Sequence, residues 1–403
     1  MTDPSVFGET PVYVYDLDEV RHAHTLLRSA LPEPSTLFYS LKANPHPAIV
    51  RGLADMGCGT EVCSPGELDT ALRAGVPPEE ILYTGPAKRD ADVATAIRGG
   101  VGLFSVDSPL GMDQLDRIAT AFDVRVRCLL RLNGAKSAPG QGLAMTGVAS
   151  QFGADTDWVM AEPARFRSRP RADLAGFHLF LGSDLNGEQA LLDQFAIAIA
   201  TARELAGALS VEPEVLDLGG GFGAPFARPG PLPRLPNLAA GVVRLLDAAF
   251  PGWRHGAPSV AFESGRYLAG TSGTLFTRVL DVKCSHGRPV VILESGINHL
   301  GGNPGLRRLP PVRLEPLLDA HRGELDRAIV AGPLCTPLDT WSPNATLPLL
   351  QPGDLVRVPN VGAYGLSASL LAFLGHPPPR EVVVAAGQVV DASRLHLVRQ
   401  TES

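Results

Sequence analysis

Three stretches of this sequence carry groups that could do chemistry. In FYSLKANPHP (38–47) a lysine, Lys42, closes a short apolar run, and Asn44, Pro45 and Pro47 stop that run directly afterwards. In LDLGGGFGAPF (216–226) the glycines Gly219 to Gly221 follow a second apolar run, where unhindered backbone N–H groups can surround an anion. In SVAFESG (259–265) a carboxylate, Glu263, ends a third. An amine, an anion cradle and a carboxylate form one set only if the fold gathers those three strand ends.

A (β/α)8 barrel does this. Apolar runs bounded by turn residues occur at TLFYSLKAN (36–44), CGTEVCS (58–64), ILYTGPA (81–87), GLFSVDS (102–108), VRVRCLLRLN (124–133), LAGFHLFLGS (174–183), EVLDLGGGF (214–222) and SVAFESG, alternating with helical stretches. In such a barrel the C-terminal strand ends build the site, and here they carry Lys42, Glu61, Asp107, Asn133, Ser183, Gly219 to Gly221 and Glu263. Ser64-Pro65-Gly66-Glu67 reads as a capping box, so Glu67 is assigned to structure, and Ser108-Pro109 repeats the device. Arg125, Arg127 and Arg131 alternate along one strand and are expected to face helices or neighbouring loops.

After Glu263 the pattern changes to strand-like runs (TLFTRVLDVKC, RPVVILES, RAIVAGPLC, DLVRVPNV, EVVVAAG), which predict a mainly β second domain. GLSASLLAFLG (365–375) reads as its one helix, and PVYVYDL (11–17) as a strand too early for the barrel that joins the second sheet. The expected division is 1–30 with the β domain, 31–265 as the barrel and 266–403 as the C-terminal β domain.

Composition excludes several classes. With 35 basic against 42 acidic residues, a formal charge of −7 and no Lys/Arg-rich block, the chain has no electrostatic footprint for nucleic acid or an anionic membrane. The opening MTDPSVFGET has no basic start or apolar run, and a cytoplasmic location is expected. Five cysteines without a C-x-x-C pair indicate neither a disulfide framework nor a zinc site, and no metal is expected. Gly219-x-Gly221-x-x-Ala224 satisfies a dinucleotide fingerprint literally, but prolines from Pro225 onward follow where that motif must open a helix.

A lysine on the first strand, phosphate-binding glycines on the seventh and a carboxylate on the eighth fit pyridoxal 5′-phosphate, with lysine as Schiff base and glutamate as partner of the pyridine nitrogen. Partial desolvation at a strand end favours the neutral amine that forms the imine. The ordered motifs YSLKANPHP, GCGTEVCSPGEL, SQFGAD, GFHLFLGS, DLGGGFG, ESGRYLAG, GPLCTPLD and NVGAYG resemble those of the fold-type III pyridoxal-phosphate decarboxylases, the group of diaminopimelate and ornithine decarboxylases, from residue 11 to about 375. The resemblance implies an alanine racemase-like fold and a homodimer with shared active sites. It implies Lys42 as the cofactor lysine, Glu263 at the pyridine nitrogen, and Gly220, Gly221, Ser183, Arg266 and Tyr364 at the phosphate. It further implies Glu61 beside the lysine and Cys335 as the proton donor reaching the neighbouring subunit's cofactor.

Two departures bear on function. The family's ring-stacking histidine falls on Phe180, with His178 two residues earlier on the same strand face, so stacking passes to Phe180 without an imidazole's proton. After the cysteine, diaminopimelate decarboxylases read C-E-S-G-D and ornithine decarboxylases C-D-G-L-D, with the acid engaging the substrate's distal ammonium; here the run is CTPLD, with Thr336 and Asp339 as substrate-binding candidates. An ammonium left unpaired on desolvation costs about 1–3 kcal/mol, enough to shift preference by about tenfold. The expected substrate therefore has no free distal amine. GPLCTPLD, LAMTGVASQFGAD and ESGINHLGGNPGLRR resemble the biosynthetic branch that decarboxylates modified or tethered amino acids, such as glutamyl groups on an acyl carrier protein or a siderophore intermediate. His299, Arg307 and Arg308 are candidates to supply positive charge to such a substrate. The alternatives are a diaminopimelate decarboxylase of lysine biosynthesis with a differently built distal pocket, a racemase on the same barrel, and a non-catalytic protein that carries the cofactor.

Overall fold

The computed structural model describes residues 8–134, 143–144, 147–185, 187–302, 311–318 and 322–401. The chain divides into two compact units, Ala23–Ala224 with Pro233–Leu268, and Met1–His22 with Pro225–Leu232 and Ala269–Ser403.

The first unit is a closed barrel of eight parallel strands: Thr36–Ser40, Gly59–Val62, Ile81–Tyr83, Leu103–Val106, Val126–Asn133, Ala172–His178, Val215–Asp217 and Ser259–Ser264. The last pairs with the first, Ser264 opposite Tyr39, which completes the ring. Inward side chains Phe38, Leu82, Leu103, Leu129, Ala175 and Ala261 form one core cluster. Each fully buried Leu or Phe contributes about 1.5–3 kcal/mol. Large and small residues must interdigitate there: a Cβ on Gly59 would lie 2.7 Å from the Phe38 ring.

Between strands run helices that include Pro47–Ala54, Pro65–Arg73, Asp90–Arg98, Pro109–Ala121, Glu188–Leu209 and Leu238–Ala249. Ser64 accepts from the Glu67 N–H at 3.2 Å, and Glu67 accepts in turn from the Cys63 N–H at 2.8 Å, so Glu67 is a cap. Ser108 caps its helix through the Gly111 N–H at 3.1 Å. After the glycine run no helix opens until Leu238, as the prolines require.

The second unit is mainly sheet. Its strands follow the spatial order Thr340–Pro348, Glu324–Ala331, Arg288–Leu293, Gly273–Ser285, Val12–Asp16, Arg380–Ala385 and Gln388–Arg394. Val12–Asp16 lies antiparallel to Gly273–Ser285 and parallel to Arg380–Ala385, burying Val12, Val14, Phe276, Val382 and Val384 together. The helix expected over GLSASLLAFLG is absent: two single 3-10 turns, Leu366–Ala368 and Phe373–Gly375, stand in its place. Ser369 donates to the Gly365 carbonyl and accepts from the Gly301 N–H, a local alternative to helix that an apolar count does not register.

Candidate active site

Lys42 occupies a single 3-10 turn, Leu41–Ala43, immediately after the first barrel strand. Its neighbours Leu41 and Ala43 are fully buried, while its own side chain is 40% exposed. The Lys42 Nζ donates to both carboxylate oxygens of Glu61 at 3.2 Å, and Thr84 Oγ1 donates to Glu61 Oε1 at 2.6 Å. Burial alone would raise the Glu61 pKa, but the Lys42 ammonium and the hydroxyls of Ser40 and Thr84 outweigh it and hold the carboxyl well below its usual range. The ammonium also lies 5.7 Å from the centre of the Phe180 ring, which walls one side.

Glu263, on the eighth strand, is 1% exposed and lies in a buried polar column. Ser105 Oγ contacts His178 Nδ1 at 2.8 Å, and His178 Nε2 lies 3.2 Å from Glu263 Oε1, a charge contact without the alignment of a hydrogen bond. Ligand atoms of His178, Asp217 and Glu263 all lie within 4.8 Å of one another. Burial would lower the His178 pKa, but the carboxyls of Glu263 and Asp217 raise it on balance. Burial and Glu263 push Asp217 up to about 7, against the Gly219 N–H that donates to its Oδ1 at 2.8 Å. The column therefore holds protons that isolated side chains would share with solvent.

The glycine run turns beside it. Gly219 accepts from the Glu263 N–H at 2.8 Å, Gly220 from Gln194 Nε2 at 2.7 Å and Gly221 from the Leu185 N–H at 2.9 Å. With those carbonyls engaged, planar trans peptides turn the N–H groups of Gly220, Gly221 and Phe222 to the opposite side. Gly219 and Gly221 have φ of +65° and +101°, and a Cβ on Gly220 would lie 2.1 Å from the Glu263 carbonyl. Ser183 is half-buried in a two-residue strand, and Arg266 opens a short helix with its Nε 3.7 Å from Asp184. Asp107 and Asn133 serve the loop after the fifth strand: Asp107 accepts from Gly153, and Asn133 bridges Gly147 and Val148. Arg131 is 7% exposed and stacks over the Phe152 ring of the same loop, while Arg125 pairs with Asp173 at the surface.

The remaining candidates lie in the sheet unit. Cys335 is exposed and Thr336 half-exposed on a turn between Glu324–Ala331 and Thr340–Pro348. Tyr364 has φ +54°, an uncommon backbone for a bulky residue. Two expectations are corrected. His299 is no source of positive charge: it is 3% exposed, its ring nitrogens contact Ser295 and the Pro377 carbonyl, and burial drives its pKa down to about 4. Asp339 does not reach outward to a substrate: it is 2% exposed and accepts from the N–H groups of Ile297 and Leu334. Arg307 and Arg308 fall outside the described residues.

Residues 17–270 match the family model described as "pyridoxal-dependent decarboxylase, pyridoxal binding domain". The chain belongs to this family. It is 32% identical over 390 residues to the L-glutamyl-[BtrI acyl-carrier protein] decarboxylase of Niallia circulans, covering 94% of this chain and 90% of the relative. It is also 31% identical to a diaminopimelate decarboxylase of Methanothermobacter thermautotrophicus, covering 94% and 88%. Among solved structures, diaminopimelate decarboxylase of Helicobacter pylori complexed with L-lysine superposes with a TM-score of 0.82 at 25% identity, over 93% of this chain and 92% of that one.

This pyridoxal-dependent decarboxylase is thus a carboxy-lyase, and its barrel fits the cofactor on its own terms. The lysine is partly exposed in a buried ring, a Cβ at any of Gly219 to Gly221 would run into a neighbouring backbone carbonyl so that only glycine allows this turn, and Glu263 Oε1 is buried with no aligned donor. Sequence reading missed Thr84, Ser105 and Asp217. Thr84 directly follows the third strand and bonds to Glu61, Ser105 has the inward parity of its strand, and Asp217 stands two residues before Gly219, so strand parity was the available signal.

Proposed function

We propose that the enzyme holds pyridoxal 5′-phosphate covalently through Lys42 and releases CO2 from an amino acid whose far end carries no free ammonium, presented on a carrier protein or as a modified biosynthetic intermediate. Gly220, Gly221, Ser183 and Arg266 receive the phosphate. Glu263 faces the pyridine nitrogen, with His178 beneath it, and Phe180 covers the ring. When bound, the cofactor supplies a conjugated ring that takes up the electron pair left on the α-carbon as CO2 departs.

The chain's residues do the rest. Glu61 orients the Lys42 amine and receives its charge when the amine is protonated. Glu263, with the His178 ring 3.2 Å from its Oε1, favours a protonated ring nitrogen. In a cytoplasmic homodimer, the exposed Cys335 thiol returns a proton in the neighbouring subunit.

The observation that carries the substrate reading is Thr336, a neutral hydroxyl where relatives place a carboxylate for a distal ammonium. The 32% identical relative, named for a carrier-linked L-glutamyl group, supports it. CO2 release measured by mass spectrometry from carrier-linked glutamate, meso-diaminopimelate, ornithine and lysine tests it; strong turnover of free ornithine or lysine would refute it. Diaminopimelate decarboxylation is the second reading, supported by the 31% identical relative, and the same screen separates the two.

A further inference from the structure

The turn that bears Cys335 and Thr336 has little core of its own. Cys335 is exposed and Leu338 is 62% exposed, so apolar packing does not fix its shape. One buried carboxylate stands behind it. Asp339 Oδ1 accepts from the Ile297 N–H at 2.7 Å and Oδ2 accepts from the Leu334 N–H at 2.8 Å. Two glycines make room for it: a Cβ on Gly296 would lie 2.3 Å from Oδ1, and one on Gly332 would lie 2.3 Å from Oδ2. The backbone closes the same neck, with the Gly332 N–H donating to the Asp339 carbonyl at 3.1 Å, Asp339 N–H to Thr336 at 3.2 Å and Thr336 N–H to Leu334 at 2.8 Å.

We propose that Asp339 is a positioning residue, a clasp that sets the conformation in which Cys335 and Thr336 are presented. Its functional weight rests on the reading that Cys335 returns the proton. A carboxylate is required because both of its oxygens face N–H donors; an asparagine would turn an N–H group onto one of them. The fold supplies an internal control, since Cys284 is also exposed and lies on a strand of the same sheet.

The test alkylates the holoenzyme with iodoacetamide across a pH series and follows Cys335 relative to Cys284 by peptide mapping. Amide hydrogen exchange is read on the peptides containing Ile297 and Leu334. In Asp339→Asn, the Cys335-to-Cys284 rate ratio rises at least about threefold, its pH midpoint moves, and both peptides exchange at least about tenfold faster. Gly332→Ala, which crowds the same carboxylate, moves the ratio in the same direction and stands in if the first variant folds poorly. General loosening would speed both cysteines and leave the ratio alone. A wild-type ratio and wild-type exchange in the variants would overturn the clasp, as would faster exchange with an unchanged ratio. Failure of the proton-return reading shows separately, as full turnover by Cys335→Ala.

Discussion

In the barrel, Lys42, His178 and Glu263 sit at or beside the ends of parallel strands and are locked to Glu61, Ser105 and Asp217 by contacts across the sheet. In the sheet unit, Cys335 and Thr336 ride on an exposed turn whose anchor is a carboxylate bonded to backbone N–H groups. The barrel groups set one another's charge, so changing one disturbs several. The turn is held through main chain, and its outward side chains can be exchanged without repacking a core. On the proposed reading, the barrel carries the cofactor chemistry, while the turn carries the proton donor Cys335 beside Thr336, the position proposed to set substrate choice.

The sharpest break comes at Lys42. Lys42→Ala removes the amine proposed to link the cofactor, and CO2 release falls on the order of a thousandfold or more, with no pyridoxyl adduct after borohydride treatment and peptide mapping. Glu263→Gln keeps the volume but loses the carboxylate proposed to face the pyridine nitrogen. Turnover falls on the order of a hundredfold while cofactor absorbance persists. On the turn, Thr336→Glu restores a carboxylate, and competition assays show kcat/KM for ornithine or lysine rising by about tenfold relative to the native substrate, with the barrel's chromophore unchanged.

The smallest effect is in stability. Glu381 accepts a hydrogen bond from Tyr15, and burial pushes its pKa from 4.5 up to about 7. Because the folded value is raised, this group's contribution to stability is fully present below pH 4.5 and is lost as pH rises through about 7. Glu381→Gln accordingly leaves the melting temperature unchanged in acid and raises it by a few degrees at about pH 8, a gain of about 1 kcal/mol. A shift of equal size at both pH values would show that the buried charge is not its source.

Much of this molecule was legible in advance. Eight apolar runs with polar ends read as a barrel because each is bounded by turn residues and they alternate with helical stretches, several opened by capping residues. Lys42, Glu61 and Glu263 stood out as charges at the ends of apolar runs. Thr84, Ser105 and Asp217 did not, because a small polar residue facing inward has meaning only once strand register places it against another. His299 was read as a source of positive charge and Asp339 as a substrate contact, since sequence does not reveal that a titratable group is buried against carbonyls or N–H groups. GLSASLLAFLG failed for a related reason: its serine bonds to local backbone and replaces the helical ladder.

The Lys42–Glu61 ion pair also bears on how the mature enzyme is assembled. On the proposed reading that Lys42 captures the cofactor's aldehyde, the ammonium must first give up a proton and leave its Glu61 carboxylate. The contact that orients the amine thus also sets the order of events in loading, since the pair with Glu61 opens before the nitrogen can bond to carbon.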